Sequence, residues 1–193
     1  MTVVHPPEQD FRTQAAALIV HGRYREALTI LAQAQAGRIL DPDLLTMLGA
    51  AYQGLQLWKD SLAAFDRALE LRPGQASVLA LRARTLGRLG RGREALRDAE
   101  AAASLAPNDP EVIEILASAQ MDAGRFDAVK ATVAHLLEVS DRHSDAHRAS
   151  AAIAMRQRDW RTAESELRTV VNRAGRCRRL DFDRESDFIL TTA

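Results

Sequence analysis

The 193 residues carry 26 basic and 26 acidic side chains, a formal net charge of zero, and that balance excludes bulk electrostatic attraction to nucleic acid or to an anionic membrane surface. Apolar residues make up 47% of the chain and aromatic ones only 5%, so a core must come mainly from Ala and Leu, strong helix formers that let helices approach closely. Cys177 is the only cysteine, which excludes an internal disulfide, and the longest apolar run, Ala15 to Val20, is far too short to span a bilayer.

Residues 1–7 read as an N-terminal extension. They have neither a basic stretch nor an apolar core, so no secretory signal is expected and the simplest localisation is cytoplasmic. Nearly all basic residues are Arg, with only Lys59 and Lys130 as Lys, a bias that fits a GC-rich bacterial genome.

From residue 8 onward one pattern recurs every 34 residues, in units 8–41, 42–75, 76–109, 110–143 and 144–177. A period of this length predicts a stack of helical hairpins, with no single central core. The first unit supplies Ala15, then Gly22 at the expected turn, then Ala27, Leu31 and Ala34. The second opens on Asp41-Pro42-Asp43, which supplies an N-cap, a first-turn proline and an acid against the helix dipole; such a cap is worth about 1 kcal/mol. It continues as Leu45-x-x-Leu48-Gly49-x-x-Tyr52, Ser61-x-x-x-Phe65-x-x-Ala68 and Pro73. The third repeats this as Leu79, Ala83, Leu86, Gly90, Ala95, Ala99, Ala102 and Pro107. The fourth opens on Asp109-Pro110-Glu111 and carries Ala117, Gly124, Val129, Val133 and Leu136. The fifth keeps Ala151, Ala163, Leu167 and Val170. In residues 178–193 the apolar Leu180, Phe182, Phe188, Ile189 and Leu190 make no clean helical stripe, so this segment reads as a tail or a poor cap.

Two columns of the alignment hold small residues: Ala15, Gly49, Ala83, Ala117, Ala151, and Ala27, Ser61, Ala95, Val129, Ala163. They let the two helices of a hairpin approach, and a bulky residue there overpacks. The columns Leu31, Phe65, Ala99, Val133, Leu167 and Ala34, Ala68, Ala102, Leu136, Val170 give the spacing of a buried helix face.

Residues able to carry chemistry are few. His143 and His147, with Asp141 and Asp145, have the i, i+4 spacing of metal ligands, but no third ligand accompanies them, and they read as surface histidines. Gly87-Arg88-Leu89-Gly90-Arg91-Gly92-Arg93 lacks the preceding strand and the Lys-Ser/Thr of a phosphate loop, so it reads as an interhelical turn. Arg82, Arg84, Arg88, Arg91, Arg93 and Arg97 are offset by Glu94, Asp98 and Glu100 and read as solvated faces. Arg173, Arg176, Arg178 and Arg179 surround Cys177 without a neighbouring His or acid to activate it. Neither catalysis, a cofactor nor a metal is expected, and too little chain follows residue 177 for a catalytic domain.

The pattern of large apolar, Leu, Gly or Ala, Tyr, Ala, Phe, Ala and Pro over 34 residues resembles the tetratricopeptide repeat (TPR) family over about residues 8–177. Unit 42–75 matches almost throughout. The departures are Arg82 for an expected Leu, His147 for a large apolar residue and Gly175 for Pro. The resemblance implies an all-α, right-handed superhelical solenoid of antiparallel helix pairs. It also implies a concave groove lined by the first helix of each unit, where a protein or peptide partner binds.

Carried over by register, that groove presents Gln9, Arg12, Ala16, Thr46, Ala50, Gln53, Ala80, Arg84, Arg88, Glu114, Ser118, Met121, Arg148, Ala152 and Met155. It should be small and neutral in the first two units, basic in the third through Arg84 and Arg88, and acidic in the fourth through Glu111, Glu114 and Asp122. A matching ligand is an extended or helical peptide with segregated charge. The clamp by which some TPR arrays hold acidic chaperone tails falls here on Arg12, Ala16, Met47, Ser77 and Leu81, only the first of them basic, so such tails are not expected to bind. The expected function is thus a non-catalytic interaction module: an adaptor, scaffold or chaperone. The alternative is a structural homo-oligomer assembled through its ends or its C-terminal tail.

Overall fold

The structure, a computed structural model, describes residues 8–35 and 41–139 and, beyond these, residues 147, 150, 151, 154, 155, 158, 159, 161, 162, 164–166 and 168. The helices described without interruption are α1 (Glu8–Val20), α2 (Tyr24–Gln35), α3 (Pro42–Gly54), α4 (Trp58–Leu71), α5 (Ala76–Arg88), α6 (Gly92–Leu105), α7 (Pro110–Asp122) and α8 (Phe126–Val139). The helices α1–α7 form one compact unit ending at Ala123, and α8 belongs to a second that begins at Gly124.

Within the first unit the hairpins are α1/α2, α3/α4 and α5/α6, each helix packing on the next, while the first helices also pack side by side, α1 on α3 and α5 on α7. Short turns force the two helices of each hairpin antiparallel. At these turns Gly22 and Gly90 adopt φ of 72° and 76°, the left-handed conformation that closes a helix C-terminus at least cost in glycine. The second turn departs from this rule: Gln56 stands in the glycine column and still takes φ of 59°. The geometry of the turn therefore persists where the residue best suited to it is absent.

Helix starts follow their sequence signals. The Asp41 carboxylate accepts from the Asp43 amide at 2.9 Å, and the Asp109 carboxylate accepts from the amides of Glu111 and Val112 at 2.9 and 3.4 Å.

The core runs along the array in successive patches. One joins Ala15, Leu31, Leu45, Leu48, Phe65, Ala68 and Val78, with Phe11, Leu28, Tyr52 and Leu81 packed against it. A second joins Ala80, Ala83, Leu96, Ala99, Ala102, Val112, Ile115 and Ala119. The small-residue columns do what close approach requires. A Cβ on Gly49 of α3 would lie 2.4 Å from Cε1 of Phe65 on α4, so the ring occupies the space a side chain would need. Beside it the buried Ser61 hydroxyl donates to the Gly49 carbonyl at 2.9 Å and lies 3.3 Å from Thr85 Oγ1. The Thr85 hydroxyl in turn donates to Leu81 O at 3.0 Å, which ties α3, α4 and α5 through one satisfied polar cluster. Among the described residues no buried side-chain nitrogen or oxygen lacks a hydrogen-bond partner.

Arg82, the departure from an apolar column, has its own account. Its guanidinium donates to both carboxylate oxygens of Asp98 on α6, at 2.7 and 3.0 Å, and to Asp66 on α4 at 2.8 Å. These bonds, led by that to Asp98, hold its pKa above the ordinary value. A fork-shaped cation thus replaces an apolar contact by joining two second helices through the first helix between them.

Candidate functional site

The first helices α3, α5 and α7 place the groove residues in different situations. Some are consumed by the fold. Ala80 is 2% exposed, so its side chain is covered by the array and is not offered to a ligand. The Gln53 amide donates to Leu81 O at 2.7 Å and to Thr85 Oγ1 at 2.8 Å, joining α3 to α5. The Thr46 hydroxyl donates to Pro42 O at 2.9 Å within its own helix, and Ala50 is half-buried. Arg12 pairs with Asp41, the N-cap of α3, and lies 3.6 Å from Asp43.

A second group converges. Arg84 and Arg88 of α5 and Glu114, Ser118 and Asp122 of α7 line a single cavity of about 550 Å³, floored by Ala83, Ala95, Ile115 and Ala119. Met121 is half-buried on the same helix. The basic third unit and the acidic fourth therefore face each other. Side-by-side packing of α5 and α7 turns a charge sequence along the chain into two opposed walls. Arg84 reaches Glu111 at 3.0 Å, and the Arg88 guanidinium sits 5.9 Å from the centre of the Trp58 ring, within cation–π range. Glu114 and Asp122 make no ion pair among the described residues. The remaining groove residues do not extend this picture: Met155 is 49% exposed in the second unit, and Arg148 lies outside the described residues, as do the side chains of Gln9 and Ala152.

One feature of this cavity lies outside the groove residues expected from the repeat, although the sequence holds its signal. The residue that opens each second helix forms a column of Tyr24, Trp58, Gly92 and Phe126, aromatic in every one of these units but the third. In the first two cases the ring covers the end of the next unit's first helix. The Tyr24 ring lies directly on Gly54, where a Cβ would come within 2.3 Å of it, and Trp58 lies under Arg88. The third member of that covered column is Asp122, and the register pairs it with Gly92, which lines the same cavity. A side chain added to Gly92 would meet nothing within 4 Å.

The other candidate clusters resolve differently. Gly87–Gly92 spans the end of α5, the turn and the start of α6. Arg91 donates to both oxygens of Glu94 at 2.7 Å, which holds the Glu94 carboxyl below its ordinary range. In the second unit His147 Nδ1 lies 2.5 Å from Glu166, whose other oxygen accepts from Ser150 at 3.1 Å. His143, Cys177 and the arginines at 173, 176, 178 and 179 lie outside the described residues. Among the described residues no helix is long and apolar enough to cross a membrane.

No protein-family model matches the chain, and no curated protein matches it. Solved structures do. A thermophilic TPR protein in Thermus thermophilus superposes with a TM-score of 0.77 at 18% identity, over 93% of this chain and 98% of that one. A MamA fragment from Desulfovibrio magneticus RS-1 gives 0.72 at 21% identity, over 86% and 93% respectively. A MamA structure from MSR-1 gives 0.68 at 20% identity, over 88% and 98%. Similarity at this level of identity speaks to architecture, and the architecture is that of a TPR solenoid built from antiparallel helix pairs.

Proposed function

We propose, on the premise of a TPR-type fold, that this chain is a non-catalytic protein-binding module, an adaptor, scaffold or chaperone. It takes a peptide or protein segment against the face formed by α5 and α7. The observation that carries this reading is the cavity of about 550 Å³ between those helices, with an apolar floor and opposed charged walls. The floor itself is nearly covered, with Ala83, Ala95, Ile115 and Ala119 at 2%, 2%, 5% and 7% exposed, so the charges of both signs on the walls set register and reject mismatched partners. Within the arginine-rich stretch, Arg82, Arg84 and Arg91 are each held by a carboxylate, which lowers its attraction for nucleic acid.

The test is affinity capture from the native cell by wild type and by two charge reversals, Arg84→Glu and Glu114→Lys. Each reversal places like charge against whatever the wild-type wall attracts, which should weaken a specific complex by ~2 kcal/mol or about thirtyfold. Both variants should keep the wild-type circular dichroism and both should lose the same partner. Retention of that partner by both would overturn the proposal.

A further inference from the structure

We infer that the slot beside Gly92 is a receptor for one basic side chain, arginine or lysine, of the bound segment. This deepens the proposed groove reading and rests on it. Tyr24 and Trp58 each lay a ring against the end of the next first helix, at Gly54 and Arg88. In the third unit the ring is missing, because Gly92 opens α6, and the space that a ring would fill is part of the cavity. The fold thus repeats a socket and leaves one without its own occupant.

The chemistry of the socket selects what enters. Of its two arginines, Arg84 is paired with Glu111 at 3.0 Å, while Arg88 keeps its charge and lies over Trp58 at 5.9 Å, leaving, among the described residues, one free cation against two carboxylates. Its two carboxylates, Glu114 and Asp122, have no cation among the described residues. Asp122 lines the same cavity as Gly92, and its Oδ2 lies 4.0 Å from where a Cβ on Gly87 would be. An apolar or aromatic side chain would fill the space but remove water from these carboxylates without replacing it by a counter-charge. A basic side chain does both: its aliphatic stem lies along Ile115, Ala119 and the bare backbone of Gly92, and its charged head meets Asp122. Glu114, about two helical turns away on α7, adds to the negative potential of the same wall.

The probe is the tripeptide Ac-Ala-Arg-Ala-NH2, compared with its Glu and Leu counterparts, titrated into the full chain and followed by backbone amide shifts. The Arg tripeptide should give saturable shifts at Gly87, Gly92 and Asp122 that the other two do not. Asp122→Asn should weaken it about tenfold, the loss of one charge-assisted hydrogen bond. Gly92→Trp, which restores the ring of the preceding unit, should abolish it while keeping the melting temperature. Equal shifts from all three tripeptides, or undiminished binding to Asp122→Asn, would overturn the inference. The Asp122→Asn arm decides alone should Gly92→Trp fail to fold, because Asp122 is exposed and without an ion pair among the described residues. The two readings fail separately. Loss of the cellular partner by the Arg84 and Glu114 reversals, with no discrimination among tripeptides, would sink the slot and leave the groove. Retention of that partner by both reversals would sink the groove whatever the tripeptides do.

Discussion

Gly49→Leu should destabilise the array by about 3 kcal/mol, at the top of the usual range for overpacking a close-packed interior. A Cβ at this position already falls 2.4 Å from Phe65 Cε1 and 2.7 Å from Cδ1 and Cζ, before any of the leucine's branches are added. Phe65 is 0% exposed, so the ring has no solvent to swing into, and relief must come from moving α3 off α4. That movement would also stretch the bond from the Ser61 hydroxyl to the Gly49 carbonyl. For a chain of this size the melting temperature should fall by roughly 6–12 °C. A midpoint equal to wild type would mean that the 34-residue register pairs the wrong residues across the hairpin.

Phe65→Ala should cost still more, ~3–5 kcal/mol, because it empties the largest fully buried side-chain site among the described residues. Urea unfolding measures this directly. The two substitutions address the same space from opposite helices, so they should not add. In the double variant the leucine enters the room the ring vacated, and the combined loss should fall short of the sum by ~1 kcal/mol or more. Additivity within error would mean that Gly49 and Phe65 do not oppose each other.

That pairing shows what a repeat makes legible. A fixed spacing puts Gly49 in a column with Ala83, and Phe65 in a column with Leu31 and Ala99; all of these residues are buried. Aspartates before prolines are recognisable as helix caps because a cap depends on three consecutive residues and on little else. Legibility ends where one repeat meets the next. Register says that Ala80 and Gln53 lie on first helices, but the neighbouring helix decides whether they are covered, and it buries one and ties up the amide of the other. Likewise Arg82 breaks an apolar column for a reason visible only across three helices, in its bonds to Asp66 and Asp98. Along the chain the charges of the groove run as segments in line, whereas packing of α5 on α7 sets those segments opposite each other. Gln56 keeps the left-handed turn without glycine, so the glycine column marks the conformation but does not create it. The slot at Gly92 is written in the column Tyr24, Trp58, Gly92, but only as an absence, a glycine where the two preceding units carry a ring.

Site-specific photocrosslinking in the native cell tests the groove claim most directly. A crosslinking residue at Ser118 sits in the cavity wall between Glu114 and Asp122, whereas one at Ala101 sits on the exposed side of α6. Position 118 should yield a discrete adduct with one protein, and position 101 should not. The same adduct from both positions, or an adduct from position 101 alone, would contradict binding between α5 and α7.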